Sequence, residues 1–94
     1  MFLRITRGRF DSAKSDQVTS LAPDVVTAAK KLPGLQSIYQ ASDASSGQAV
    51  IVSVWDSREH AQFDRSALGD VISRFQSMGG QLEAPELYEI DAQG

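Results

Sequence analysis

The chain has 94 residues and a mass of 10.2 kDa, which suits a single domain over residues 1–94 and is too short for two stable ones. Its net charge of −3 argues against nucleic acid or an anionic membrane as the main partner. With no Cys and one His, the chain lacks disulfides, thiolate chemistry and Cys-based metal sites, and we expect neither metal nor cofactor. The first ten residues alternate apolar and basic side chains, unlike a signal peptide, and no apolar run could span a membrane, so we expect a cytoplasmic protein.

The first predicted element is a strand over Phe2–Phe10, because side chains of two kinds alternate along it. Leu3, Ile5 and Arg7 share one face, and the other face carries Phe2, Arg4, Thr6 and Phe10. After the polar stretch Asp11–Asp16, apolar residues recur at helical spacing: Val18, Leu21, Ala22, Val25, Ala29 and Leu32. This spacing predicts an amphipathic helix, which Pro23 either kinks or divides into two because proline lacks an N–H.

The next two elements form a predicted hairpin. Pro33-Gly34 ends the helix, and Leu35–Ala41 alternates as a strand, with Tyr39 on one side and Ile38 on the other. The cluster of turn formers at Ser42–Gly47 leads into Gln48–Trp55, which is rich in β-branched residues and almost entirely apolar. Two strands separated by a short loop predict an antiparallel pair.

The last third of the chain predicts two helical segments and a strand. Asp56-Ser57-Arg58-Glu59 has the capping-box arrangement and starts a helix that we expect to extend to about Ser66. A second apolar ladder at helical spacing ends at Gly79-Gly80 and consists of Leu68, Val71, Ile72, Phe75 and Met78. Glu86–Asp91, after Pro85, predicts the final strand.

The element order β-α-β-β-α-β predicts an α+β, ferredoxin-like fold, a four-stranded antiparallel sheet with its helices on one face. The other face of the sheet then needs a cover, because Val50, Val52 and Val54 point away from Ile51 and Trp55 and neither set suits water. We therefore expect a homodimer formed through the sheet faces.

Three segments carry a family resemblance: Leu32-Pro33-Gly34-Leu35 before the hairpin, Val54–Glu59 between a strand and a capped helix, and Pro85–Ile90. Together they resemble the antibiotic biosynthesis monooxygenase-like family of dimeric α/β barrels, over nearly the whole chain. The resemblance implies a homodimer whose two sheets form one barrel, with a pocket between sheet and helices in each subunit. It also implies the cofactor-independent oxidation of an aromatic polyketide or quinol.

The haem-degrading branch of this fold is a poorer match. That branch uses an Asn on the first strand and a Trp and a His in the second helical region, and the present chain contains no Asn. Phe63-Asp64 and Arg74 lie in the neighbourhoods where that Trp and His would fall. We therefore expect no haem degradation and no haem cofactor.

The resemblance and the residue chemistry together nominate four site residues. Trp55 and Tyr39 are expected to orient an aromatic ring, and His60 or Arg74 to stabilise a substrate phenolate or enolate. The alternative is a non-catalytic homodimeric module for binding a ligand or partner, in which Trp55 is a core residue and His60 lies on a solvated helix face.

Arg4, Arg7 and Arg9 do not predict a basic patch. Strand alternation puts Arg4 on the opposite face from Arg7 and Arg9, so the three cations cannot converge on one anion. We expect them to be solubilising strand positions or to form ion pairs between subunits.

Overall fold

The computed structural model describes all 94 residues and contains five strands, three α-helices and two short 3-10 turns. The strands are β1 (Phe2–Arg9), β2 (Leu35–Asp43), β3 (Gln48–Trp55), β4 (Gln81–Leu82) and β5 (Glu86–Glu89). The α-helices are α1 (Ser15–Ala29), α2 (Arg58–Ala61) and α3 (Val71–Ser77). The 3-10 turns span Ser12–Lys14 and Arg65–Leu68.

All strand pairs are antiparallel, and β3 and β1 form the centre of the sheet, with β2 beside β3. Both β4 and β5 pair with the other edge of β1, β4 at Gly8 and Arg9 and β5 along Phe2–Ile5. The fourth strand position is thus divided between two short strands, with Pro85 directly before the second. This arrangement confirms the ferredoxin-like α+β fold, whose helices pack on one face of the sheet.

The structure differs from the sequence-based expectation after β3. The expected helix to Ser66 is wrong in length, because α2 ends at Ala61 and a separate 3-10 turn follows. The cap is also one residue later than expected, since the Ser57 hydroxyl accepts the bond from the backbone N–H of His60. The Asp64 carboxylate accepts a bond from the N–H of Ser66 and so starts the 3-10 turn locally, in competition with a continuing helix.

The first helix runs without a break through Pro23, so the alternative of two separate helices is wrong. Pro23 lies on the exposed face of α1, where water can satisfy the backbone carbonyl that loses its partner. The carbonyl of Pro23 itself accepts a bond from the hydroxyl of Thr27 at 2.9 Å.

The core lies between α1, α3 and the face of the sheet that the helices cover. Its buried apolar residues are Phe10, Val18, Leu21, Val25, Ala29, Leu68, Val71, Phe75 and Met78. Gly8 of β1 lets Leu82 and Phe75 pack closely on the strand, and Gly80 lets the chain turn tightly after α3, because a Cβ there would overlap Phe75. None of the helices is both long and apolar enough to cross a bilayer.

Candidate functional site

Two small cavities lie between the covered face of the sheet and the helices, with volumes of about 30 Å³ and about 20 Å³. They share the lining residues Thr6, Val25, Ile51, Leu68, Ile72 and Leu82. Because pockets for drug-sized ligands have volumes of roughly 300–1,000 Å³, neither cavity holds an aromatic ring as it stands. Entry of such a ring requires the helical layer to move away from the sheet.

Both cavities have mostly apolar walls, and the smaller one differs in including four residues with polar side-chain groups. Its wall contains the guanidinium-bearing side chains Arg4 and Arg65 and the hydroxyl-bearing side chains Thr6 and Ser53. No Asp or Glu contributes to this wall. Two residues with cationic side chains and two with hydroxyl groups therefore adjoin a largely apolar cavity.

Arg4 is the most unusual of these residues, because its side chain lies within the protein with only 4% of its surface exposed. Its Nη1 donates to the carbonyls of Ala61 at 2.8 Å and Phe63 at 3.0 Å. Its guanidinium carbon lies 3.9 Å from the centre of the Phe63 ring. Burial, and to a smaller extent the charge of Arg65, lowers the pKa of Arg4, and no carboxylate forms an ion pair with it.

Trp55 continues this cluster at the end of β3. Its ring is fully buried and lies 5.0 Å from the Phe63 ring, tilted by 43°. The indole Nε1–H donates to the Ser53 hydroxyl oxygen at 2.8 Å. Trp55 thus supports Phe63, the ring on which the Arg4 guanidinium rests, and does not itself line either cavity.

His60 forms a pair with Asp56 where β3 passes into α2. Its Nδ1 lies 2.6 Å from Asp56 Oδ1, and the carboxylate can only accept, so Nδ1 carries the proton and donates. The hydrogen bond from His60 lowers the pKa of Asp56. Gly34, with φ of +83°, packs directly against both side chains, because a Cβ there would overlap the imidazole and the carboxylate. The His60 and Asp56 side chains are half-exposed at the end of the sheet. His60 directly precedes Ala61, whose carbonyl accepts a hydrogen bond from Arg4.

The other two nominated residues lie on outer surfaces. Tyr39 is opposite Val52 on the uncovered face of the sheet, with 65% of its surface exposed. Arg74 lies on α3, where its Nη2 is 2.9 Å from Asp24 Oδ2 of α1. The structure therefore does not bring the four nominated residues together in one chain, and only Trp55 adjoins the internal cavities through its neighbours.

Four residues of the cavity wall were not predicted from the sequence as site residues: Arg4, Ser53, Phe63 and Arg65. The expectation that Arg4 is a solubilising or intersubunit residue is wrong, because the helices bury the face on which Arg4 lies. Strand alternation contained the signal, since it placed Arg4 on the same face as Thr6 and Phe10. Arg7, on the opposite face, is exposed and pairs with Glu86 of its own chain at 2.8 Å.

No group of three or more His, Asp or Glu side chains is arranged to hold a metal ion. No protein-family model matches the chain, and no curated protein matches it. The similarity that exists is to solved structures.

HapK from Hahella chejuensis has a TM-score of 0.76 at 20% identity, covering 100% of this chain and 96% of that one. A candidate antibiotic biosynthesis monooxygenase from Deinococcus radiodurans has a TM-score of 0.75 at 17% identity, covering both chains completely. SnoaB, a cofactor-independent oxygenase from Streptomyces nogalater, has a TM-score of 0.69 at 12% identity, covering 98% of this chain and 94% of its own. At these identities the resemblance is confirmed at the level of architecture: the chain has the fold of antibiotic biosynthesis monooxygenase-like proteins.

Proposed function

We propose that the chain is a homodimeric, cofactor-independent monooxygenase of the antibiotic biosynthesis monooxygenase-like family. Its substrate is a small aromatic or quinol-type molecule bound between the sheet and the helices. The observation that carries the proposal is the position of the two cavities, which lie between the sheet and the helices and have mostly apolar walls, with Arg4 contributing to the wall of the smaller one. The shared fold with a protein named as a cofactor-independent oxygenase supports it by analogy.

The reaction that fits such a site is oxidation of an anthrone-type methylene by O₂. A base removes one proton from the methylene, and the electron-rich carbanion adds O₂ to give a peroxide. The peroxide then loses water, so that one oxygen atom becomes the new carbonyl and the other leaves as H₂O. The protein needs to position the ring, stabilise the developing anion and exclude bulk water.

His60 takes the role of base in this proposal; because it lines neither cavity, the reacting carbon of the bound substrate must extend from the cavity to the end of the sheet beside α2. His60 is the only imidazole in the chain, and Asp56 holds its Nδ1–H, so that Nε2 of the neutral ring is the nitrogen that accepts a proton. We favour His60 over Arg74 because the Arg74 guanidinium pairs with Asp24 on the outer surface of the helices. Trp55 acts by holding Phe63 against Arg4, and Tyr39 on the uncovered sheet face acts at the interface with the partner subunit.

Binding of a ring requires an opening, and the Arg65–Leu68 turn is the segment that provides it in this proposal. This turn supplies Arg65 and Leu68 to the cavity wall. It is followed by Gly69, whose φ is +69°. The space around Gly69 is open, because a Cβ added there would meet no atom within 4 Å. Movement of this short segment enlarges the cavity without disturbing the sheet.

Oxygen consumption by the purified protein, without flavin or added metal, tests the proposal with anthrone as substrate. We expect one O₂ consumed per anthrone oxidised, with anthraquinone as the product and no accumulation of hydrogen peroxide. Heat-denatured protein measures spontaneous autoxidation under the same conditions. A rate equal to that of the denatured control, over a panel of anthrones and hydroquinones, contradicts the proposed activity.

The second candidate is a non-catalytic homodimeric module that binds a ligand or a partner. The small size of both cavities favours it, because the interior as folded is almost filled by its own side chains. The two candidates differ in a single measurement: a module binds an aromatic molecule without consuming O₂, whereas the oxygenase consumes it.

A further inference from the structure

We propose that Arg4 and Arg65 form a binding site for an anionic oxygen, so that the ligand of this cavity carries a phenolate, enolate or carboxylate group. The inference rests on the proposed binding of a small molecule between the sheet and the helices, and it specifies the charge of that molecule. It also assigns the stabilisation of the anion to side chains other than the His60 and Arg74 nominated from the sequence.

Arg4 has no counter-charge. Removing a cation from water costs several kcal/mol, and buried arginines normally recover this cost from a carboxylate. Arg4 instead has two backbone carbonyls and an aromatic ring as partners, all of them neutral. The positive charge is therefore left without a negative partner, although the side chain is 4% exposed.

Arg65 adds a second cation to the wall of the same cavity. A structural tether between β1 and the segment after α2 needs one donor, which Arg4 supplies through Nη1. Such a tether does not need a second cation, and the positive charge of Arg65 makes the charged form of Arg4 less favourable by lowering its pKa. Arg65 Nη2 donates to the backbone carbonyl of Glu83 and is likewise without a carboxylate partner. An anion in the cavity that both arginines line removes this repulsion.

Ser53 lines the same cavity and carries a hydroxyl group. Its oxygen accepts the hydrogen bond from Trp55 Nε1, so its own O–H is available to donate. The cavity wall thus offers a hydroxyl donor and two cations, and no carboxylate to oppose an anion. This is the arrangement that favours an oxyanion in a water-poor site.

Binding of benzoate, compared with its neutral analogue benzyl alcohol, tests the inference by titration calorimetry on the full-length protein. We expect benzoate to bind at least about 10-fold more tightly than benzyl alcohol, as charge-assisted hydrogen bonds require. Arg65→Gln and Arg4→Met are expected to weaken benzoate binding by about 10- to 100-fold and to leave the affinity for benzyl alcohol unchanged. Arg9→Gln, which removes an exposed cation from the same strand, is the matched control and retains wild-type affinity for benzoate.

Because Arg4 is buried, circular dichroism checks that each variant is folded, and Arg65→Gln alone decides the matter if Arg4→Met does not fold. A second measurement follows the Nε–Hε signals of ¹⁵N-labelled arginine, which are expected to shift on addition of benzoate for Arg4 and Arg65 and not for Arg9. Equal affinity for benzoate and benzyl alcohol, or wild-type benzoate affinity in Arg65→Gln, overturns the inference.

The two proposals fail in different ways. If benzoate binds as stated and no substrate consumes O₂, the anion site stands and the oxygenase proposal is wrong. If anthrone is oxidised at the wild-type rate by both Arg4→Met and Arg65→Gln, the oxygenase proposal stands and the anion site is overturned.

Discussion

Arg4 and Arg7 are three residues apart on one strand, yet they lie in opposite environments. Arg7 faces the uncovered side of the sheet, where Glu86 neutralises it and its charge remains partly in water. Arg4 faces the helices and has only neutral partners. The period of two along a strand therefore decides whether an arginine contributes to the surface or to the chemistry of the interior.

Two replacements of Trp55 distinguish its contribution to packing from its contribution to the proposed oxidation. Trp55→Ala is expected to destabilise the protein by about 3–5 kcal/mol, because a fully buried ring is removed and Phe63 loses its neighbour. Trp55→Phe keeps most of the packing and loses only the hydrogen bond to Ser53, so it retains part of the oxidation rate while Trp55→Ala loses most of it. Urea unfolding and O₂ uptake measure the two effects, and an unchanged rate in folded Trp55→Ala contradicts the role given to this ring.

His60 is the residue on which the proposed proton transfer depends. His60→Gln preserves a hydrogen-bonding side chain on α2 but removes the base, so we expect the rate of anthrone oxidation to fall by about 10²- to 10⁴-fold. Asp56→Asn is expected to cause a smaller loss, because the imidazole remains while the group that orients it is weakened. Full activity in a folded His60→Gln protein shows that the base lies elsewhere.

At the scale of elements, the carboxylates that begin turns make stability depend on pH. Hydrogen bonds from Ser66 lower the pKa of Asp64, and those from Ser45 lower the pKa of Asp43, both below the ordinary value of 3.8. A carboxyl group whose pKa is lower in the folded state stabilises the fold above its unfolded pKa, and this contribution is lost as the pH falls through the folded pKa.

We therefore expect the free energy of unfolding to decrease as the pH is lowered below about 4, measured by urea titration at a series of pH values. The decrease is expected to be shallower in Asp64→Asn, which no longer titrates at this position. Asp70→Asn is the control, because the Asp70 side chain makes no cap hydrogen bond and the variant is expected to follow the wild-type curve. A profile for Asp64→Asn that coincides with that of the wild type contradicts the assignment.

Gly34, in the loop before β2, packs against the side chains of His60 and Asp56. Gly34→Ala is expected to destabilise the protein by more than the roughly 1–2 kcal/mol of backbone strain at a positive φ, since the added methyl also collides with both side chains. Gly79→Ala is the matched control, with a φ of +75° and only Asp11 nearby, and is expected to cost less. Equal losses of unfolding free energy in the two variants contradict the close packing at Gly34.

The elements up to β3 could be predicted because each has a strong periodic pattern and a clear stop, such as Pro33-Gly34 after α1. After Trp55, the helix ending at Gly79-Gly80 and the strand from Glu86 could also be predicted. The length of the helix before them could not, because Ser57 and Asp64 both make local hydrogen bonds that compete with one long helix. Predicting the site required knowing how deeply each side chain is buried as well as the sheet face on which it lies. Strand alternation assigned Arg4 to the correct face, but only the packing of the helices shows that it is buried beside Phe63.

At the scale of the whole molecule, the uncovered face of the sheet remains apolar. Leu3, Ile5, Val50, Val52 and Val54 lie together on it, and Tyr39 and Tyr88 at its margins are more than half exposed. Contact with the same face of a second chain buries this surface, as in the barrel that the family resemblance implies. This is the physical basis of the proposed homodimer.

Light scattering is expected to give a mass near twice 10.2 kDa at micromolar concentration. Val52→Lys places a charge in the middle of the uncovered face and is expected to yield monomers or aggregates, because the buried ammonium has no partner there. Gln62→Lys adds the same charge at an exposed position outside the sheet and is expected to remain dimeric. A monomeric mass for the unaltered chain, or an unchanged dimer in Val52→Lys, means that the face is covered in another way.

The division of the fourth strand position gives the sheet two unequal margins. Beside β1, the two- and four-residue strands β4 and β5 are separated by a Pro85-containing segment, so their outer side offers no continuous row of N–H and C=O groups to an incoming chain. On the other side, the outer side of β2 runs for nine residues. Strand addition, whether by a partner peptide or in the first step of aggregation, is therefore directed to β2, which makes Leu35–Asp43 the segment to protect when the protein is concentrated or redesigned.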